Sequence, residues 1–128
     1  MGQHLVAIID DDPLVGRAVR RTLQSAGFEA ETFDSGESFL ASVEAYGSRH
    51  DCLVVDLQMP GMDGLQLQTR LAARGSRVPV IFITAHDTLE ARERASAQKA
   101  ASYLRKPLAD DVLLRAVEAA YEGGDPPC

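Results

Sequence analysis

Tryptophan is absent, aromatic residues make up only 5% of the chain, and 128 residues contain just two cysteines. Two cysteines cannot build a disulfide framework, so the fold must rest on an apolar core. Cys52 leads an apolar run and reads as a small core residue, whereas Cys128 ends a polar tail. The expected setting is therefore reducing and cytoplasmic. No apolar run approaches the roughly 18 residues needed to cross a bilayer, so no membrane association is expected. The opening Met1-Gly2-Gln3-His4 carries no basic stretch and leads into acidic residues, so it does not read as a secretory leader. Positive charge is also scarce: 13 Lys and Arg stand against 19 Asp and Glu, a net charge of −6. That balance does not suit a surface that grips the phosphates of nucleic acid or anionic lipid. Internal repeats and low-complexity segments are missing too.

What is present fits one globular domain, with 45% hydrophobic and 25% charged residues. Strand and helix patterns alternate. Leu5 to Ile9 is an apolar run of strand length that ends in Asp10-Asp11-Asp12. Pro13 suits a first helical turn, with Asp12 as its cap, and Val15, Ala18, Val19, Leu23 and Ala26 follow at helical spacing up to Gly27. Glu29 to Phe33 alternates weakly and predicts an edge strand. Asp34 and Ser35 can cap a helix to about Tyr46, with Phe39, Leu40 and Val43 inward.

Cys52 to Val55 is a second apolar run and ends in Asp56. Asp63-Gly64-Leu65-Gln66 predicts a capping box for a helix carrying Leu67 and Leu71. Pro79 to Ile83 ends in Thr84, and Asp87 with Glu90 predicts another capping box for a helix with a thin stripe of Leu89, Ala91 and Ala95. Ala101 to Leu104 predicts a short last strand before Arg105-Lys106-Pro107. Val112, Leu113, Ala116, Val117 and Ala120 mark a final helix. Five strands alternating with five helices predict an α/β fold, a flavodoxin-like doubly wound (βα)5 sandwich. Its parallel five-stranded sheet has the order 2-1-3-4-5. Residues 1–121 form the domain, and 122–128 read as a tail or the start of a linker.

The strand ends carry the chemistry. Asp10 and Asp11 follow the first strand, Asp56 the third, Thr84 the fourth and Lys106 the fifth. A parallel sheet brings these ends to one edge, beside the switch point between strands 1 and 3. Alone, an Asp after a strand is a turn or cap residue, Thr84 a strand residue and Lys106 a solvated one. Together they form a carboxylate cluster that one lysine does not neutralise. Such a cluster suits a hard divalent cation with oxygen ligands: Mg²⁺, with Mn²⁺ as the alternative. The chemistry implied is phosphoryl transfer, in which a carboxylate attacks phosphorus while cation, lysine and hydroxyl hold the phosphoryl oxygens.

Four stretches, in this order, resemble the receiver domain of two-component response regulators: Ile8-Ile9-Asp10-Asp11-Asp12-Pro13, the run from Val54 to Gly64, Val80-Ile81-Phe82-Ile83-Thr84-Ala85 and Tyr103-Leu104-Arg105-Lys106-Pro107. The resemblance covers about Leu5 to Tyr121. The Asp-x-x-Met-Pro-x-Met-Asp-Gly run starting at Asp56 is its most specific part. The resemblance implies that Asp56 accepts a phosphoryl group from the phosphohistidine of a histidine kinase or phosphotransfer protein. It implies Asp11 as the main acidic metal ligand, Asp10 as a direct or water-mediated one, and the Gln58 backbone carbonyl as another beside Asp56. It further implies that Thr84 bonds the phosphoryl group. Lys106 would pair with Asp56 before transfer and with the phosphate afterwards, next to a cis bond to Pro107. Tyr103 would be a switch aromatic. The output face would comprise the fourth helix, fifth strand and fifth helix, often as a homodimer. Gln58 and His86 would tune dephosphorylation, although His86 also fits an exposed surface histidine. Such a domain catalyses only its own phosphorylation and dephosphorylation and does not itself bind nucleic acid.

The sequence departs from the family pattern at one place: Lys99 stands where receivers carry a glycine before the last strand. If that position needs positive φ, lysine there is strained by about 1 kcal/mol. The motifs most resemble receivers that precede a helix-turn-helix output domain. These 128 residues hold no such domain, so the chain is either a receiver cut from a larger regulator or one that stands alone. Three rivals compete. An Asp-nucleophile phosphatase would need a second Asp at Gln58 and room for a cap domain. An FMN-binding flavodoxin would need a Ser/Thr/Gly-rich loop where Asp10-Asp11-Asp12-Pro13 stands. A degenerate receiver that only docks would not keep Asp11, Asp56, Thr84 and Lys106 together.

Overall fold

The structure, a computed structural model, describes residues 4–123. In chain order it runs β1 (Leu5–Ile9), α1 (Pro13–Ser25), β2 (Glu29–Phe33), α2 (Gly36–Tyr46), β3 (Cys52–Asp56), α3 (Gly64–Ala73), β4 (Val80–Thr84), α4 (Leu89–Ala97), β5 (Ser102–Arg105) and α5 (Asp110–Gly123). All neighbouring strands are parallel and the order is β2-β1-β3-β4-β5, as the alternation predicts. Residues 124–128, Cys128 included, lie outside the described residues. The last helical turn of α5 reaches two residues past Tyr121. Among the described residues no helix is long and apolar enough to cross a membrane.

The continuous apolar runs follow from burial on both sheet faces. Ala7, Ile9, Leu53, Val55 and Phe82 face Phe39, Leu40, Leu67, Leu71 and Ala95 of α2, α3 and α4. Their alternates Val6, Ile8, Val54, Ile81 and Ile83 face Val19, Leu23, Leu113, Val117 and Ala120 of α1 and α5. Cys52 is fully buried, and burial pushes its thiol up to about 12, which makes it an inert core residue.

Local signals decide most boundaries. Asp12 caps α1 by accepting from the Leu14 N–H, and Ser35 caps α2 by accepting from Ser38. The capping box of α3 forms: Gln66 N–H donates to Asp63 (2.8 Å) and Asp63 N–H to Gln66 Oε1 (2.9 Å). The box predicted at Asp87 and Glu90 does not form. The helix starts one residue later, so Thr88 is the cap, accepting from Ala91 N–H at 3.0 Å, and Asp87 is held by Arg92 instead. Leu89, predicted on the apolar stripe, is 71% exposed, so α4 rests on Ala95 with Ala91 beside it. Ala18 on α1 and Ala26 just after its last turn are exposed, while Gly16, Val19 and Leu23 are buried. The last strand begins one residue later than predicted, at Ser102. Lys99 has φ of 60°, so lysine does occupy a left-handed position at the end of α4.

Candidate functional site

The parallel register brings Asp10, Asp56, Thr84 and Lys106 to one sheet edge. Asp10 follows β1, Asp56 and Thr84 are the last residues of β3 and β4, and Lys106 follows β5. Asp10 and Asp56 are each 4% exposed and Thr84 is fully buried, whereas Asp11 lies open to solvent. One carboxylate oxygen from each of Asp10, Asp11 and Asp56 lies within 4.8 Å of the others.

Lys106 Nζ is 2.9 Å from Asp10 Oδ2 and 3.3 Å from Asp56 Oδ2. The resemblance implies the pairing with Asp56, yet the shorter contact is to Asp10. Asp10 Oδ1 accepts from Asp12 N–H at 2.9 Å, but Oδ2 is buried and has no hydrogen bond of good geometry, only the nearby ammonium. Asp56 Oδ1 accepts from Gln58 N–H at 3.2 Å. Burial, then the Asp10 charge, pushes the Asp56 carboxyl up to about 6, while Lys106 pulls it back. Burial pulls the Lys106 ammonium down, but Asp10 and Asp56 outweigh it and leave the group above its ordinary value.

The residues fit a hard divalent cation. The donors are all oxygens, and three carboxylates cluster beside one ammonium that pairs with only two of them.

Thr84 Oγ1 accepts from His86 N–H at 2.9 Å and donates to Gln58 Oε1 at 2.8 Å. The His86 ring is at the surface. Tyr103 pairs in register with Phe82 and packs against the core under α4. Arg92 covers its ring at 5.3 Å and clasps Asp87 with two 2.7 Å bonds. The peptide bond between Lys106 and Pro107 is cis.

Three features escaped sequence reasoning. Gly64 lies so close under β3 that a Cβ there would sit 2.5 Å from the Asp56 carbonyl oxygen; the Asp63-Gly64 motif was its only signal. Glu37 accepts from Met62 N–H at 3.2 Å and so ties α2 to the loop after Asp56. Arg92 and Asp87 form the clasp beside Tyr103, and nothing in their spacing marked it.

A family model described as the response regulator receiver domain matches residues 6–118. The DNA-binding transcriptional regulator NtrC of Salmonella typhimurium is 38% identical over 120 residues, which is 94% of this chain and 25% of that protein. Transcriptional regulatory protein FixJ of Bradyrhizobium diazoefficiens is 33% identical over 121 residues, 94% of this chain and 58% of that one. The chain therefore spans only part of these relatives. The crystal structure of a response regulator receiver protein from Burkholderia phymatum superposes with a TM-score of 0.83 at 47% identity, covering 98% of this chain and all of the other. With the matched family model and the shared sheet order, the chain belongs to the response regulator receiver domains of two-component signalling.

Proposed function

We propose that this chain is a phospho-accepting switch: Asp56 takes a phosphoryl group from the phosphohistidine of a histidine kinase or phosphotransfer protein. The observation that carries this reading is the convergence of Asp10, Asp11 and Asp56 oxygens within 4.8 Å, beside the Lys106 ammonium. An Asp56 carboxylate oxygen attacks phosphorus, the P–N bond breaks, and its electron pair leaves on the donor's imidazole nitrogen. The product is an acyl phosphate on Asp56. With a carboxyl near 6, Asp56 is mostly ionised at neutral pH and available as the nucleophile. Lys106 then pairs with the phosphoryl oxygens, and Thr84 donates to one of them.

Asp11, Asp56 and the Gln58 backbone carbonyl would hold Mg²⁺ or Mn²⁺, with Asp10 a ligand directly or through water. Once bound, the ion offsets the negative charge that carboxylates and phosphoryl oxygens bring together. Residues 1–121 are the working unit, and 122–128 are a tail or the start of a linker. The modified domain favours one state of a two-state equilibrium, with Tyr103 moving as Thr84 shifts. Output leaves through the α4–β5–α5 face, by homodimerisation. Gln58 and His86 tune hydrolysis of the acyl phosphate. The domain is a switch that catalyses only its own phosphorylation and dephosphorylation. Its net charge of −6 argues against direct nucleic-acid binding.

Incubation with Mg²⁺ and acetyl phosphate tests the reading. Mass spectrometry is expected to show one added phosphoryl group, labile to hydroxylamine and absent from Asp56→Ala. An unmodified wild-type chain under these conditions overturns it.

A further inference from the structure

We propose that the Gln58 side chain is a latch that holds Thr84 in the unphosphorylated state, an inference that rests on the phosphoacceptor reading of Asp56. A threonine hydroxyl has one proton to donate. In Thr84 that proton goes to Gln58 Oε1 at 2.8 Å, while the oxygen accepts from His86 N–H at 2.9 Å. The side chain is fully buried, so water does not compete for it. A phosphoryl oxygen on Asp56 can only accept. Thr84 therefore cannot serve the phosphoryl group until Gln58 lets go.

Release is feasible on the Gln58 side. The residue is exposed, so a freed amide finds water. An open cleft of about 540 Å³, bounded by Leu57, Gln58, Met59, Pro60, Thr88 and Arg94, gives the side chain room to swing away. The bond thus stabilises the resting arrangement and is lost in the phosphorylated one, which biases the equilibrium toward rest. Gln58 acts here through Thr84 and is a positioning residue.

Gln58→Met keeps the length and removes the acceptor. With Mg²⁺ fixed, its half-saturating concentration of beryllofluoride, a tetrahedral phosphoryl mimic, is expected to fall about fivefold, the worth of one ordinary neutral hydrogen bond. Gln58→Ala should repeat the gain, which separates loss of the acceptor from the packing of methionine. In a Thr84→Val background, Gln58→Met should change nothing. The His86 amide resonance of free Gln58→Met should already be displaced along the wild-type free-to-bound line, a population shift that a merely structural role does not produce.

Unchanged or weaker binding in Gln58→Met, or a gain that persists with Thr84→Val, overturns the latch while leaving the phosphoacceptor reading intact. A wild-type chain that takes up neither beryllofluoride nor acetyl phosphate's phosphoryl group overturns both.

Discussion

Lys106 sits nearer to Asp10 than to the proposed acceptor Asp56, at 2.9 against 3.3 Å, and so bridges two buried carboxylates. It is the internal counter-charge of the site, and part of its effect on Asp56 passes through neutralising Asp10.

Removal of that charge should be visible on Asp56 itself. Lys106→Met is expected to move the Asp56 carboxyl above its value of about 6, since Lys106 opposes the upward push of burial and Asp10. Phosphoryl uptake should slow by about tenfold or more as a stabilising cation is lost. Carboxyl carbon NMR titration checks the first, and the acetyl phosphate rate the second.

The raised carboxyl also makes stability depend on pH. The folded value of Asp56 lies above its unfolded 3.8, so folding favours the protonated form. The stabilisation is complete below about pH 4 and is lost as pH rises through about 6. Asp56→Asn, neutral at all pH, should therefore outperform the wild type at pH 7.5 by roughly 3 kcal/mol in metal-free buffer, and by much less at pH 4.5. Urea midpoints at the two pH values decide it; a constant gap contradicts the linkage.

Magnesium should relieve the same repulsion. At about 100 times its dissociation constant the ion is expected to add roughly 2.7 kcal/mol to wild-type stability, reversibly on chelation. Asp11→Ala should lose most of that gain yet keep the metal-free melting temperature, because Asp11 is exposed. Thermal melts with and without EDTA make the comparison.

Gly64→Ala should destabilise the fold by about 1–3 kcal/mol, since a Cβ would sit 2.5 Å from the Asp56 carbonyl oxygen and backbone would have to move. Gly16→Ala is the control: its nearest neighbour would be Thr32 at 3.6 Å, an ordinary contact, in a helix that favours alanine. Only Gly64→Ala should also slow phosphorylation.

Lys99→Gly is expected to stabilise the chain by about 1 kcal/mol, because lysine at φ of 60° carries a cost that glycine does not. The gain should appear in the denaturation midpoint and leave phosphoryl uptake unchanged.

Local pattern alone settled much of this protein. Doubly buried strands read as apolar runs, helices as 3.6-residue stripes, and the Asp63–Gln66 box as a helix start, because each signal lies within a few residues. The strand-end positions of Asp10, Asp56, Thr84 and Lys106 follow from the same pattern once the sheet is parallel. The departure at Lys99 was legible too, as a missing glycine. Tertiary structure decided the rest. Which residue caps α4, whether Leu89 meets the core, which carboxylate Lys106 approaches most closely, and that Gln58 takes the Thr84 proton all depend on how loops close over the sheet edge. Apart from the Thr88 cap, whose partner Ala91 is local, these contacts join residues far apart in the chain, and strand register and helix packing set their geometry.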